Sequence, residues 1–113
     1  MEPRLATSVL VGALRQKAEA QGGFAAVIAR GDPTSGTVLI QLEGHDGSRK
    51  LLERLLQPDG RYRWQQTGNQ DAENESERQK FLDRRRKYDP DLWILELSIP
   101  SAERFAAEMT VFD

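Results

Sequence analysis

The chain has 113 residues with no cysteine, 30% of them are charged, and its formal net charge is −2 at pH 7. This length suits one compact domain over residues 1–113, the missing cysteines exclude disulfides and thiolate chemistry, and the balanced charge disfavours a protein built to grip nucleic acid. No apolar run approaches the ~20 residues of a membrane span, and the N-terminus lacks a signal-peptide pattern, so we expect a cytoplasmic protein.

The first part of the chain predicts one helix and then two strands. Apolar residues recur at helical spacing from Ala6 to Gln21, with Thr7 or Ser8 as the cap and a glycine pair to end the helix. The next stretch, GFAAVIARG, is short and apolar on both alternating sides, which is typical of an inner strand covered on both faces. After the turn RGDPTSG, the segment TVLIQLEG alternates apolar and polar residues, and only Leu39 breaks its polar side. The two strands are predicted to form a hairpin.

The segment Arg49–Gln57 is ambiguous between helix and strand. Its leucines have helical spacing, yet it is short and lies between two turn signals. The segment after it, RYRWQQT, alternates plainly and places Tyr62 and Trp64 on one face. Consecutive strands usually neighbour each other, so a meander of four strands is the simpler topology, and we interpret the ambiguous segment as a strand.

A second helix is predicted from Asp71 or Asn74 to Lys87. Its apolar stripe is thin and comprises Phe81, Leu82 and Tyr88. Such a helix should lie on the surface and be held by few anchors. Proline at position 90 disfavours helical backbone at the residue before it, so the helix should end there.

The last part of the chain predicts one more strand and a short helix. LWILELSI alternates with Trp93 on its apolar side, and Ser101 can cap a short amphipathic C-terminal helix. The full order is α-β-β-β-β-α-β-α. It predicts an α+β protein with an antiparallel sheet of about five strands, an N-terminal helix, a helix before the last strand and a short C-terminal helix. The helices should cover one face of this sheet.

Three segments taken together resemble a known family. They are GGFAAVIARGDPTSGTVLIQLEG, GRYRWQQTG and KYDPDLWILEL, and the resemblance extends over roughly Leu5 to Ile99. On these segments the chain is similar to an alphaproteobacterial family catalogued as domain of unknown function 1491. The resemblance implies a small bacterial protein that stands alone in the cytoplasm. It implies no activity, cofactor or catalytic residue.

The stretch Asp89-Pro90-Asp91 suggests either a metal site or a turn. Two carboxylates, with Asp32, Glu96 or Glu43 to complete the shell, could bind Mg²⁺ or Mn²⁺. With Asp32 as the third carboxylate they could serve a metal-assisted hydrolase or a nucleotide-acting enzyme. Alternatively, the aspartates bond to backbone amides in the turn that ends the helix. A lone D-x-D pattern recurs by chance. We therefore favour the turn and predict no catalytic residue, metal or cofactor.

A basic run stands at the end of the predicted second helix. It comprises Arg84, Arg85, Arg86 and Lys87. The run could contact RNA or DNA phosphates, with Tyr62 and Trp64 as stacking rings. However, the same helix begins with acidic residues, and this distribution of charge complements the helix dipole at both ends. The helix dipole then explains both the acidic residues at the start of the helix and the basic residues at its end. A weak nucleic-acid binder is therefore the less favoured alternative.

The remaining candidates are aromatic residues and one histidine. His45 is the only histidine and is expected to be exposed in a turn. Trp64 and Trp93 fit core positions, but either could anchor a partner if it lay on an uncovered sheet face. The function we predict is a non-enzymatic accessory or protein-binding module. Its open sheet face, edge strand or C-terminal helix would meet another protein or a second copy of itself.

Overall fold

A computed structural model describes residues 6–68 and 75–109 of the chain. Within these ranges there are three helices and five strands, as expected for an α+β protein. The elements are α1 (Thr7–Ala20), β1 (Phe24–Ala29), β2 (Val38–Gly44), β3 (Arg49–Leu56), β4 (Tyr62–Gln66), α2 (Glu75–Tyr88), β5 (Trp93–Ile99) and α3 (Ala102–Ala107). The ambiguous segment is thus strand β3, as predicted. The start predicted for the second helix, Asp71 or Asn74, lies outside the described residues. No helix within the two ranges is long and apolar enough to cross a bilayer.

The sheet is mixed rather than purely antiparallel. Its strand order is β1-β5-β2-β3-β4. Strands β2, β3 and β4 form an antiparallel meander, but β5 lies between β1 and β2, antiparallel to the first and parallel to the second. The prediction of an antiparallel sheet is therefore wrong at one pairing, because the last strand inserts between the first two.

Strand β1 lies at the edge of the sheet, whereas its apolar sequence predicted an inner strand in a hairpin with β2. The inner position belongs to β5, in which five of the seven residues are buried. A strand covered on both faces gains most from apolar side chains on both sides. Strand β5 fits this inner position better than β1 does. As a result, Phe24 and Ile28 of β1 are 60% and 43% exposed.

Helices cover both faces of the sheet, whereas the sequence predicted that they would share one. On the face that we call the front, α1 and α3 pack against alternate residues of β2 and β5. The buried residues of this larger core include Leu10, Leu14, Val38, Ile40, Leu42, Trp93, Leu95, Leu97, Ile99 and Phe105. On the opposite face, the back, Leu82 of α2 packs in a smaller core with Leu39 and Ile94.

Leu39 shows why the second core exists. It is the residue that interrupts the polar side of β2, and it is fully buried on the back of the sheet. It is aligned with Ile94 of β5 in the parallel ladder. Without α2 these side chains would form an exposed apolar patch. The exception in the alternating pattern therefore marks where α2 docks.

Helix α2 docks through few side chains, as its thin stripe predicted. Leu82 is buried and Phe81 is half-buried against the back core, but Tyr88 is 80% exposed. Tyr88 is therefore not an anchor, and the stripe is shorter than the sequence suggested.

The two predicted helix caps have different outcomes. Helix α1 follows Ala6, and no side chain caps it. Instead, the hydroxyl of Thr7 donates to the carbonyl of Gly36 at 3.1 Å and ties the helix to the turn before β2. Ser101 caps α3 as predicted, since its hydroxyl accepts a hydrogen bond from the Arg104 N–H at 3.3 Å.

Candidate functional site

The aspartates of the two quoted turns act on their own backbones. A carboxylate oxygen of Asp89 accepts a hydrogen bond from the Asp91 N–H at 3.1 Å. A carboxylate oxygen of Asp32 accepts from the N–H groups of Thr34 and Ser35, each at 2.9 Å. These amide bonds favour the charged form and hold the pKa of Asp32 below its ordinary value. Both turns therefore have the structural geometry that the sequence favoured.

The same two turns are joined to each other. The N–H of Asp32 donates to the carbonyl of Asp91 at 3.0 Å, and the Trp93 indole N–H donates to the carbonyl of Asp32 at 2.7 Å. A Cβ atom at Gly31 or Gly36 would collide with the Asp91 carbonyl, so the two segments approach as closely as glycine allows. Two of the three segments that carried the family resemblance thus form one structural joint, at the end of the sheet where β5 begins.

The carboxylates of this joint do not form a three-residue group of metal-binding side chains. Within residues 6–68 and 75–109, no three His, Cys, Asp or Glu side chains are grouped so that they could hold a metal ion. Asp32 and Asp89 direct carboxylate oxygens at the amides of their own turns. The alternative of a metal-assisted enzyme that uses Asp32, Asp89 and Asp91 therefore gains no support from the geometry.

The basic run divides into one buried contact and three exposed side chains. The guanidinium of Arg85 forms an ion pair with the carboxylate of Glu53 on β3, which is only 6% exposed. Arg84, Arg86 and Lys87 point to solvent on the rest of α2. Arg85 therefore fixes α2 to the back of the sheet, and the other three basic side chains of the run remain exposed.

The three aromatic candidates lie on the front face. Trp93 is buried in the front core, and Trp64 is half-buried against it. The guanidinium of Arg54 lies 4.3 Å from the centroid of the Tyr62 ring on the adjacent strand. These rings already have neighbours within the chain, so the structure does not bring them together as an open surface.

A surface that the sequence did not identify lies on the back of β1. Phe24 and Ala26 form this surface together with Ile28, which is exposed at the register shift of β1, and we call it the edge patch. In the ladder with β5, Phe24 is opposite Ser98 and Ala26 is opposite Glu96, on the part of the back face outside the small core under α2. The sequence signal was an apolar strand without any charge. That signal was present, but it fits an inner strand equally well.

His45 lies beside this patch and has a partner that the sequence did not indicate. Its Nε2 lies 3.1 Å from the Ser98 hydroxyl, and its backbone N–H donates to the carbonyl of Ile99 at 2.8 Å. His45 is exposed, as expected, but its ring is tied to β5. The contact between His45 and Ser98 links the β2–β3 turn to the central strand. It lies at the surface, where water reaches the imidazole ring.

The fold defines a small α+β protein in which the turns at Asp32 and Asp89 form a joint between β1, β2 and β5. Comparison with known proteins identifies its relatives. Residues 5–107 match the family described as "Protein of unknown function (DUF1491)". The chain therefore belongs to the DUF1491 family, as the resemblance of its motifs predicted.

Solved structures from alphaproteobacteria share the fold. The crystal structure of a DUF1491 family protein from Caulobacter crescentus has a TM-score of 0.76 and 29% identity, and the match covers 87% of this chain and 91% of that chain. An NMR structure of a DUF1491 family protein from the same organism gives a TM-score of 0.75 and 29% identity over 87% and 88% of the two chains. The solution structure of protein Atu0922 from A. tumefaciens shares the fold with a TM-score of 0.70 and 24% identity, over 88% and 96%. No functionally curated protein matches the chain significantly.

Proposed function

We propose that this protein is a non-enzymatic accessory module that binds another protein chain through strand β1. One observation supports this above the others. Strand β1 consists of six uncharged residues at the sheet edge, and it exposes Phe24 and Ile28. An extended segment that pairs with such an edge gains backbone hydrogen bonds and apolar contacts together.

The opposite edge of the sheet is unlike β1. Strand β4 carries Arg63 and the exposed polar residues Gln65 and Gln66. Charged side chains on an edge strand discourage pairing with another chain. Strand β1 has one protective feature, a shift in its register with β5 between Val27 and Ala29. The residues before that shift keep a regular ladder, so most of β1 remains suited to pairing.

The other functions considered have weaker support. The aspartates of the joint bond to their own turns, and the basic run contributes Arg85 to an internal ion pair. The proposal therefore names a protein as the partner, in preference to nucleic acid or a metal-bound substrate. It also includes the cytoplasmic location and the single domain that the sequence predicted.

The test compares Phe24→Lys with Val9→Lys as the matched control. The two native side chains are 60% and 55% exposed, so each change replaces a similar exposed apolar group by a charge. Phe24 is in the edge patch, whereas Val9 lies on α1. Each variant is expressed at native level in the organism from which the protein comes, and it is purified together with the molecules that bind to it. Partners are identified by mass spectrometry and tested again with purified components.

We expect an identified partner, which includes a second copy of the chain, to bind the native protein and Val9→Lys but not Phe24→Lys. Circular dichroism checks that all three proteins are folded. If Phe24→Lys keeps every partner of the native protein, binding does not use β1 and the proposal is wrong. RNA that elutes with the protein and is released by salt would point to the basic run instead.

A further inference from the structure

We infer that the partner of β1 is a second copy of this chain, paired antiparallel with it about a two-fold axis through Ala26. This inference rests on the proposed function and names its partner. The result would be one sheet that continues across two copies, with α1 of each copy beside the other on the front face. An axis of this kind brings the same surface of both copies together, so the surface must complement itself.

The strand is self-complementary in this register. With Ala26 opposite Ala26 of the second copy, Phe24 comes next to the second copy's Ile28, the exposed residue at its register shift, and the symmetry repeats this contact. Both are exposed large apolar side chains in the single copy. Pairs of an aromatic and a β-branched residue across neighbouring strands stabilise sheets. The small side chains of Ala25 and Val27 face each other on the front, beneath the helices.

The helices have room in this arrangement. Helix α1 packs over β1 and β5, while α3 packs over β2 and β3. Neighbouring strands are ~4.8 Å apart, so two copies of α1, each above the gap between β1 and β5, would have axes ~10 Å apart. Packed helices are typically separated by ~8–10 Å. The two helices would therefore contact each other without separating the strands.

The side of α1 that would face the second copy carries one positive and one negative charge. Lys17 points towards the C-terminal end of α3, because its ammonium pairs with Glu108 at 2.8 Å. Arg15 and Glu19 are each two residues from Lys17, about 200° around the helix, so they point the other way, towards the free edge of β1. Both are exposed in the single copy.

These charges would complement each other across the axis. Ala26 lies ~7 Å along β1 from its first residue, which corresponds to about four or five residues of α1 counted back from Ala20. The axis therefore crosses α1 near Gln16. Because the two helices run in opposite directions, each Arg15 lies within one turn of the second copy's Glu19. Opposite charges at that separation favour association.

A cysteine at the proposed axis tests the arrangement directly. The native chain has no cysteine, so Ala26→Cys introduces the only thiol. Residues directly opposite in an antiparallel pair have Cα atoms about 4.5–5.5 Å apart, which a disulfide can bridge. We expect mild oxidation to convert Ala26→Cys to a disulfide-linked dimer, while Val9→Cys, the exposed control on α1, stays mainly monomeric on a non-reducing gel.

The oligomeric state of the full chain gives a second test. We expect a dimer of the native protein by sedimentation equilibrium, and at least about tenfold weaker association for Phe24→Lys, which is ~1.4 kcal/mol or more. Arg15→Glu should also weaken the dimer, because only carboxylates would then face each other where the two α1 helices meet. Exchanging the two charges, Arg15→Glu with Glu19→Arg, should restore it.

The outcomes separate this inference from the proposed function. A native protein that is monomeric at every concentration, or an Ala26→Cys variant that crosslinks no faster than the control, overturns the second copy as partner. A dimer that withstands Phe24→Lys or Arg15→Glu also overturns it. If a different protein or an extended peptide then binds the native chain and not Phe24→Lys, the proposed function stands without this inference. If Phe24→Lys and Val9→Lys behave alike in both association and partner binding, the proposed function and this inference both fail.

Discussion

Replacing Arg85 by methionine removes the guanidinium that faces the carboxylate of Glu53. Glu53 is 6% exposed, so this carboxylate has little access to water once its partner is gone. Removing one member of a buried ion pair typically destabilises a protein by about 3–5 kcal/mol. The Arg85 side chain is 29% exposed, so solvent already screens part of the attraction. We therefore expect a loss of about 2 kcal/mol in the free energy of unfolding, below that range.

The assay is urea unfolding followed by the fluorescence of Trp64 and Trp93, both of which contact the front core. Arg86→Met is the matched control, because Arg86 is the next residue on α2 and is exposed. Surface changes of that kind usually alter stability by less than about 0.5 kcal/mol. Equal denaturant slopes for the two variants would show that the difference lies in stability and not in the compactness of the unfolded state.

A second variant separates the ion pair from the packing of the Arg85 stem. Changing both partners to methionine removes the charge that Arg85→Met alone leaves buried, so most of the lost stability should return. If Arg85→Met and Arg86→Met unfold at the same urea concentration, the buried carboxylate does not depend on Arg85. The explanation of how α2 is fixed would then be wrong.

Other changes give equally direct expectations. Gly31→Ala should lower the thermal midpoint strongly, because the new Cβ collides with a backbone carbonyl, whereas Gly12→Ala on α1 meets no atom and should be neutral or stabilising. Ser101→Ala removes the cap of α3 and should cost about 1 kcal/mol in urea unfolding. Lys17 lowers the pKa of Glu108, so their pairing stabilises the fold above the ordinary glutamate pKa of 4.5 and is lost as the pH falls through the lower folded pKa. Lys17→Met should therefore flatten the fall of the melting temperature below that pH.

Local sequence patterns were sufficient for most of the elements, whereas β3 also needed the argument that consecutive strands usually neighbour each other. The alternation of Val38, Ile40 and Leu42 predicted β2, and these residues do form one buried side of it. Turn chemistry at Asp32 and Asp89 predicted hydrogen bonds to neighbouring amides, and the structure has them. Such features depend on residues a few positions apart, so the sequence contains their physical cause in full.

The joint between the two turns was only partly predictable. The sequence marked both turns and the glycines near the first, but not that the Asp32 N–H bonds to the carbonyl of Asp91 or that Gly31 packs against it. These contacts connect positions about sixty residues apart, and the hydrogen bond from the Trp93 indole to the carbonyl of Asp32 connects residues 61 positions apart. A pattern within one segment does not specify which distant segment it meets.

The sequence by itself determined the class of the fold, the bounds of its helices and strands to within a few residues, and the family. Only the tertiary structure decided which apolar strand became the centre of the sheet and which became its edge. An apolar strand such as FAAVIA gains from burial in either place, and β5 took the inner position because its two faces meet the larger and the smaller core. The exposure of Phe24 and Ile28, and with it the surface proposed for binding, follows from that long-range choice and from no feature of β1 alone.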